Sequence, residues 1–286
     1  MRTFKIGGVP EHFNFPWKLA QDFKFFEKDN LKIQWTFYPS GTGAMVNALK
    51  NKELDIAILL TEGAVASIIN GLEAKIIKQF ISSPLIWGVH TGFNSNISQV
   101  KENLKYSISR FNSGSHLMAI IDAKIRNFNI NEHQWVISND LNGSIHDLNT
   151  HASDLFLWEK YTTKPYVNKG LLRKISEFVT PWSCFQIVAS NQLLNEFPDE
   201  IRKIMSIINF TSKQFMTSDN SIDMLIENYE LTPEDAHSWF YSTEWNTDFN
   251  ISEKMLENVM NTLLQIQIIQ KKLKPEELIH PMVNLI

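Results

Sequence analysis

The sequence predicts an α/β protein whose chain builds two lobes. A strand, a Gly-rich turn and a helix follow one another at residues 31–49, and the same order recurs at residues 106–118. Strand-like stretches alternate with helical ones until residue 195, beyond which the apolar periodicity is that of helices. We therefore place the crossings between the lobes near residues 84–92 and 171–189.

The first lobe begins with strands that alternate with helices. Aromatic, β-branched and continuous apolar stretches predict strands at residues 4–9, 31–37, 53–60 and 74–80. Pro16 suits the first turn of a helix that we expect to run to about Lys28. A second helix follows Gly43, and a short third helix ends near Gly71. Ser82-Ser83-Pro84 is expected to break the fourth strand.

The second lobe and the C-terminal part follow the two crossings. In the second lobe we expect a helix to about Phe128, a strand at 134–137, a turn at Asn142-Gly143 and a strand at 152–159. After the second crossing we expect helices at residues 195–215, 217–230, 232–243 and 252–272. Thr232 is the expected cap of one of them.

The composition is that of a soluble globular protein. Of the 286 residues, 43% are hydrophobic and 20% are charged, and this length allows a large core. The net charge of -4 gives no basis for general nucleic-acid binding, which needs a basic surplus. No stretch approaches the roughly 18 apolar residues of a membrane-spanning helix. We therefore expect neither nucleic-acid binding nor membrane insertion.

Cysteine and histidine usage limits the chemistry that we expect. Cys184 is the only cysteine, which excludes an intrachain disulfide and argues against a Cys-based zinc site. It is either a packed core residue or a nucleophile beside a cleft. His146 and His151 are five residues apart in an expected loop, where we interpret them as solvated rather than as metal ligands.

The start of the chain bears on location. The residues after Met1 lead directly into a strand, without the apolar run of a signal peptide. If Met1 is the native start, the expected location is the cytoplasm. If a leader was removed, the expected location is the periplasm or the cell surface.

The two Gly-rich turns are candidates for a ligand site. Ser40-Gly41-Thr42 and Ser113-Gly114-Ser115 each stand at the start of a helix, and Ser40 and Thr42 can cap the first of these helices. Hydroxyl groups and unpaired N–H groups at a helix start suit a carboxylate, a sulfonate or a phosphate. Either turn alone also fits an ordinary capped helix. Neither is a Walker A motif or a Rossmann fingerprint.

Polar residues also follow two of the predicted strands. Glu11 and His12 come after the first strand, and Thr61 and Glu62 come after the third. Ligands of open α/β sheets bind beyond the C-terminal ends of the strands, so we expect these residues to face the cleft. A lone Glu-His pair also fits a solvated loop. Arg110 is either a cationic anchor for a ligand or a structural residue.

Several short segments together resemble the type II periplasmic-binding proteins, in the nitrate, sulfonate and taurine branch that includes thiamine-precursor binders. These segments are SGTGAM (residues 40–45), LDIAI (54–58), TEG (61–63), SGS (113–115) and FQIVA (185–189). Others resemble a leaderless soluble subgroup of yeasts and bacteria: PEH (10–12), SSPL (82–85), SR (109–110) and TPWSCF (180–185). The likeness extends to about residue 215.

The resemblance implies two lobes, each a mixed β-sheet flanked by helices, joined by a two-strand hinge around a small ligand. The implied lobes are residues 1–88 with 187–286, and residues 89–186. The implied role is capture and handover without catalytic residues, cofactor or metal, by a monomer or weak dimer, with an ABC-transporter permease as partner if the chain is exported. The implied ligand-binding residues are Glu11, His12, Ser40, Gly41, Thr42, Thr61, Glu62, Ser113, Gly114, Ser115, Asp154, Trp158 and Trp182.

Two functions of different classes follow from these residues. The first is a solute-binding protein for a small anionic, zwitterionic or heteroaromatic molecule, such as a sulfonate or a thiamine precursor. Trp158 or Trp182 would offer a stacking face, and Glu11 with Glu62 would accept hydrogen bonds from an amine or ring nitrogen. The second is a cytoplasmic enzyme of the menaquinone or thiamine-pyrimidine type, with His12, Glu11 or Glu62 as acid or base. A ligand-sensing regulatory domain is a third possibility, although no DNA-binding module flanks the lobes.

Overall fold

A mixed β-sheet is the frame of the computed structural model, which describes residues 2–286. Its strands are β1 (Thr3–Gly8), β2 (Lys32–Phe37), β3 (Ile56–Leu60), β4 (Ala74–Gly92), β5 (Tyr106–Ile108), β6 (Trp135–Ile137), β7 (Leu155–Glu159) and β8 (Leu172–Ser190). They lie in the order β2-β1-β3-β8-β4-β7-β5-β6. A second, small sheet pairs β9 (Asn250–Ile251) with β10 (Asn284–Leu285).

Helices connect and follow the strands. They are α1 (Phe15–Asp22), α2 (Phe25–Lys28), α3 (Thr42–Lys50), α4 (Thr61–Ile69), α5 (Gly114–Ile125), α6 (Leu141–Asn149), α7 (Lys164–Asn168), α8 (Asn191–Glu196), α9 (Pro198–Thr217), α10 (Ser221–Tyr229), α11 (Pro233–Ser242), α12 (Glu253–Gln265) and α13 (Pro275–Leu278). Buried side chains of the sheet and helices form one large core cluster. Across residues 2–286, no helix combines the length and apolar character that a membrane crossing requires.

The sheet consists of two similar halves. In one half β1 pairs in parallel with β2 and β3, and in the other β5 pairs in parallel with β6 and β7. The long strands β4 and β8 pair antiparallel in the centre, where β8 borders β3 and β4 borders β7. The predicted α/β class is therefore confirmed.

The C-terminal ends of the two sets of parallel strands face each other across the centre of the sheet. Leu60, the last residue of β3, pairs with Phe185 of β8, whereas Glu159, the last residue of β7, pairs with Trp87 of β4. The predicted lobe boundaries fall inside β4 and β8, so their exact positions stay a prediction. Residues that follow the parallel strands of either half meet in this central region.

The predicted break at Pro84 is wrong, because β4 continues through it. The register between β4 and β8 shifts on both sides of Pro84, where the pairing is irregular. A proline without an N–H is tolerated at such a bulge. Ser82 donates its backbone N–H to the carbonyl oxygen of Glu244 at 2.8 Å instead of to β8.

The predicted turn at Asn142-Gly143 is also wrong, because both residues lie in the first turn of α6. The Asp140 carboxylate caps this helix by accepting the Gly143 N–H at 2.9 Å. The cap therefore overrides the turn preference of the Asn-Gly pair. The last long helix, α12, ends at Gln265, before the predicted end at residue 272.

We expect Gly143→Ala to destabilise the fold, because an added Cβ would lie 1.9 Å from the backbone oxygen of Ser138. Overpacking of this kind costs about 1–3 kcal/mol in the free energy of unfolding. Urea unfolding measures the change, with Asn142→Ala at the exposed neighbouring position as the control. Equal stability of the two variants would contradict the close packing of α6 on the end of β6.

Candidate functional site

A cavity of about 40 Å³ lies between the facing strand ends of the two halves. One water needs roughly 10–15 Å³ on this measure, so the space suits a few waters or one compact polar group. Within residues 2–286, no lysine or arginine lines the cavity. The lining residues are Val9, Glu11, Ser40, Gly41, Thr42, Leu60, Leu85, Trp87, Ser109, Ser113, Gly114, Ser115, Trp158, Glu159 and Phe185.

The start of α3 forms one part of the wall. Gly41 precedes the helix with a φ of 74°, a conformation that favours glycine. The expected side-chain cap from Ser40 or Thr42 is wrong, because the Thr42 hydroxyl instead accepts the Leu60 N–H at 3.1 Å. The N–H groups of Thr42 and Gly43 have no acceptor within the helix.

The start of α5 forms the opposite part of the wall. The Ser113 hydroxyl caps this helix by accepting the His116 N–H at 3.3 Å, and it donates to the Arg110 carbonyl oxygen at 2.7 Å. The N–H groups of Gly114 and Ser115, like those of any first helical turn, have no acceptor within the helix. Two helix N-termini thus meet at one cavity, an arrangement that suits an anionic group.

Two carboxyl groups line the same cavity. Burial, together with the nearby Glu159 carboxyl, raises the pKa of Glu11 from 4.5 to about 8. Burial raises the pKa of Glu159 from 4.5 to about 7, although backbone hydrogen bonds from Thr162 and Tyr161 oppose the rise. The Trp158 indole N–H lies near Glu11 and partly opposes the rise in its pKa, yet it makes no hydrogen bond of ordinary geometry.

Within the described part of the chain, no positive charge lies inside the cavity beside these carboxyl groups, although the Lys160 ammonium outside it partly opposes the rise in the pKa of Glu159. Glu159 accepts the Thr162 N–H at 2.5 Å, and its Oε2 lies 3.8 Å from His12 Nε2. Burial lowers the pKa of His12 to about 3, so its ring is neutral near pH 7. Because desolvation disfavours an isolated charge, an uncompensated carboxylate here is unfavourable.

Arg110 links the two lobes at the edge of the cavity. Its Nη1 donates to the Ser40 carbonyl oxygen at 2.7 Å, which joins the loop after β5 to the turn before α3. The guanidinium packs on Gly43, where an added Cβ would lie 2.6 Å from its Nε. A Cβ at Gly114 would lie 2.4 Å from Leu60 Cδ1. Both glycines therefore allow the close approach of the lobes, and Arg110 makes a structural link between them, while its Nη2 is buried without a hydrogen-bond partner among the described residues.

The structure places the predicted site residues in four groups. His12 lies in an adjoining cavity, and Thr61, Glu62 and Trp182 pack behind the first cavity. Asp154 lies apart from both. Whether any of these residues binds a ligand stays a prediction. The predicted residues that line the first cavity are Glu11, Ser40, Gly41, Thr42, Ser113, Gly114, Ser115 and Trp158.

Thr61, Glu62 and Trp182 connect β3 and α4 to β8. The Thr61 hydroxyl donates to the Ser183 carbonyl oxygen at 2.5 Å and accepts from Gln186 Nε2 at 3.0 Å. The Trp182 indole N–H donates to Glu62 Oε2 at 2.9 Å. Burial raises the pKa of Glu62 to about 7. Thr61, Glu62 and Trp182 thus join α4 to β8 and do not line the first cavity, although Glu62 Oε1 is buried without a partner in residues 2–286.

Asp154 is at the wrong end of β7 to face the cavity. Its carboxylate accepts the Lys105 N–H at 2.8 Å at the start of the strand, whereas the cavity lies at the strand's end. The sequence interpretation missed Glu159, the last residue of β7, and Ser109 after β5. The available indication was the one used for Glu11, namely a polar residue at the C-terminal end of a buried strand.

Cys184 is a packed core residue. Its side chain is fully buried, and burial raises the pKa of the thiol well above its ordinary value. A nucleophilic cysteine needs a lowered pKa and access to a substrate. The structure therefore favours the packing interpretation over the nucleophile.

Comparison with known proteins agrees with this architecture. Residues 87–178 match the model of the Ca3427-like PBP family, where PBP stands for periplasmic binding protein. The structure of the Candida albicans CA3427 gene product, described as having the generic periplasmic binding protein fold, is 26% identical. It superimposes with a TM-score of 0.88 over 98% of this chain and 96% of that chain. The chain therefore has the type II periplasmic-binding-protein fold. The resemblance predicted from the sequence is confirmed.

Two sulfonate-binding proteins share this periplasmic-binding-protein fold. SsuA from Xanthomonas axonopodis pv. citri, solved with MOPS, is 13% identical over 99% of this chain and 98% of its own, with a TM-score of 0.78. The periplasmic aliphatic sulphonate binding protein SsuA of Escherichia coli is 12% identical over 98% of this chain and 92% of its own, with a TM-score of 0.67. No curated protein sequence matches significantly. At these identities, the comparison with both SsuA proteins shows only that this chain shares their fold.

We expect Arg110→Ala to weaken closure of the lobes. The variant removes a charged donor to the Ser40 carbonyl oxygen, a contact worth about 1.5–3 kcal/mol when buried and less when partly exposed. Small-angle X-ray scattering should show a larger radius of gyration than for the parent protein, while the exposed Lys101→Ala leaves it unchanged. An unchanged radius for Arg110→Ala would refute the linking role.

We expect Glu11→Gln to remove part of the pH dependence of stability. Because the folded-state pKa of Glu11 is about 8, against an ordinary 4.5, its stabilising contribution is present below about pH 4.5 and is lost as pH rises through about 8. The variant should therefore melt at least about 4 °C above the parent at pH 9 and within about 2 °C of it at pH 5. The exposed Glu227→Gln is the matched control, and an equal difference at both pH values would contradict the assignment.

Proposed function

We propose that the chain is a solute-binding protein that captures a small zwitterionic molecule between its lobes. The acidic group of the ligand would lie at the starts of α3 and α5, and its protonated nitrogen would lie at Glu11 and Glu159. One observation supports this above all: two helix N-termini and two buried carboxyl groups line the same cavity, and no lysine or arginine of residues 2–286 does.

The protonated nitrogen supplies what the cavity lacks. A cation next to a buried carboxyl group favours its charged form and so lowers its pKa. With a pKa of about 8, Glu11 is mostly protonated near pH 7, and a bound cation would favour loss of that proton and formation of a buried ion pair. The cavity, in which no cation from the described residues lies beside Glu11 and Glu159, is therefore well suited to a ligand that brings a positive charge.

The acidic group has its own set of partners. Oriented N–H groups at helix starts bind carboxylates, sulfonates and phosphates without a charged side chain. The SsuA proteins bind sulfonates on the same fold, and the MOPS in one of them is both a sulfonate and an amine. Taurine-like sulfonates and thiamine-precursor-like molecules remain the ligand classes that we propose. A permease partner is proposed only for an exported form.

An enzyme on the same fold is the second candidate. Glu11 and Glu159 have pKa values of about 8 and about 7, within the range that suits a general acid or base near neutral pH. His12, which the sequence interpretation named for this role, has a pKa of about 3, which suits it poorly as a base. The enzyme hypothesis therefore depends on the two carboxyl groups.

Calorimetric titration with taurine and ethanesulfonate tests the proposal, because ethanesulfonate lacks the nitrogen. We expect taurine to bind more tightly than ethanesulfonate. Glu11→Gln should weaken taurine binding about tenfold or more, as expected for a lost charged contact, and should leave ethanesulfonate within about twofold. The exposed Glu227→Gln is again the matched control.

Two results would count against solute binding of this kind. Equal affinity for taurine and ethanesulfonate, or equal losses for both in Glu11→Gln, would remove the role of the carboxyl groups. Native mass spectrometry of protein purified from its own source addresses the enzyme. A single molecule released intact supports capture, whereas a compound found together with its altered form supports turnover.

A further inference from the structure

A second cavity of about 340 Å³ adjoins the first at Glu11, which lines both. It also lies between the lobes, because the β1–α1 loop and the end of α10 face the β7–α7 segment across it. The lining residues are Pro10, Glu11, His12, Leu141, Tyr161, Thr162, Pro165, Tyr166, Lys169, Asn228, Tyr229, Glu230 and Leu231. The larger free volume between the lobes is therefore beside the charged cavity.

Buried polar groups without partners line this second cavity. The side chain of His12 is 2% exposed, and neither of its ring nitrogens has a hydrogen-bond partner. The Thr162 hydroxyl oxygen is likewise buried and makes no hydrogen bond of ordinary geometry within residues 2–286, although it lies near the Glu159 carboxyl and helps to lower its pKa. Buried polar groups in native proteins nearly always have partners, so these atoms call for donors and acceptors from elsewhere.

The character of these groups points to an uncharged partner. Since the pKa of His12 is about 3, its neutral ring offers one donor and one acceptor near pH 7. Thr162 adds a hydroxyl, which can both donate and accept. Lys169 and Glu230 pair with each other at 2.8 Å at the exposed rim, so they already compensate one another's charge.

The aromatic side chains of the cavity suit a ring. The cavity is lined by Tyr161, Tyr166 and Tyr229. The ring centroids of Tyr229 and His12 are 5.5 Å apart. His12 is held by stacking on Trp239, with ring centroids 4.1 Å apart. Tyrosine faces pack against both flat heteroaromatic rings and sugar rings, and they leave the polar edges of such rings free to bond.

We propose that the second cavity is a ligand compartment for an uncharged ring with both a hydrogen-bond donor and an acceptor, bound by His12 and Thr162. If the ring is the tail of the ligand whose charged head lies at Glu11 and Glu159, this proposal rests on the proposed function. If the ring binds alone, the proposal is independent of that function. A first cavity of about 40 Å³ leaves no room for such a ring beside a charged head.

Saturation-transfer NMR with uracil and with methyl β-glucoside tests this compartment on the full chain. The two probes are uncharged rings with donors and acceptors, and they separate a heteroaromatic source from a sugar source. We expect one of them to bind with a millimolar dissociation constant and to remain bound when taurine is added. His12→Phe keeps the stacking on Trp239 but removes both ring nitrogens, and Thr162→Val removes the hydroxyl.

Each variant should lower the affinity for the bound probe about fivefold or more, the loss expected for a buried hydrogen bond. The exposed His133→Phe and Thr150→Val are the matched controls and should leave affinity within about twofold. No binding of either probe, displacement by taurine, or unchanged affinity in both variants would overturn the compartment. Ring binding without any taurine binding would support the compartment and count against the zwitterion proposal alone.

Discussion

The antiparallel pairing of β4 with β8 is the interaction on which the rest of the structure depends. Each strand has 19 residues, and each borders the last parallel strand of one half of the sheet. The pair therefore fixes the distance and orientation between two sets of strand ends. Leu85, Trp87 and Phe185, which lie between these ends, become part of the cavity wall. The geometry of the candidate site is thus a property of this pairing more than of any single loop.

Closure of the lobes combines favourable contacts at the edges with an unfavourable centre. Arg110 joins the lobes at one edge, and the ion pairs Lys164–Asp235 at 3.3 Å and Lys169–Glu230 at 2.8 Å join them at another. In the centre, Glu11 and Glu159 are desolvated, and no cation of the part of the chain that the structure describes lies in the cavity beside them. Because exposed ion pairs stabilise little, the charge state of the centre has a strong influence on the closed form.

The fold class and the two Gly-rich turns were predictable because they depend on local chemistry, such as the periodicity of β3 or the Ser113 cap. Local chemistry did not determine the backbone conformation at Pro84 or Gly143. A sheet bulge sets it at Pro84, and the Asp140 cap sets it at Gly143. Local chemistry also did not separate Glu62, which bonds Trp182, from Glu11, which faces the cavity. Both follow a buried strand, and only the packing of β8 distinguishes them. Asp154 was assigned without regard to the direction of β7.

The irregular part of β4 affects how the lobes can move. Pro84 lacks an N–H, and Ser82 bonds Glu244 instead of β8, so few hydrogen bonds join the central strands at this level. Bending the sheet there breaks few β4–β8 hydrogen bonds, whereas bending it within the regularly paired segments on either side would break several. Each half of the sheet can therefore stay stiff while the short segment between them flexes. Entry and release of a buried molecule then require no local unfolding.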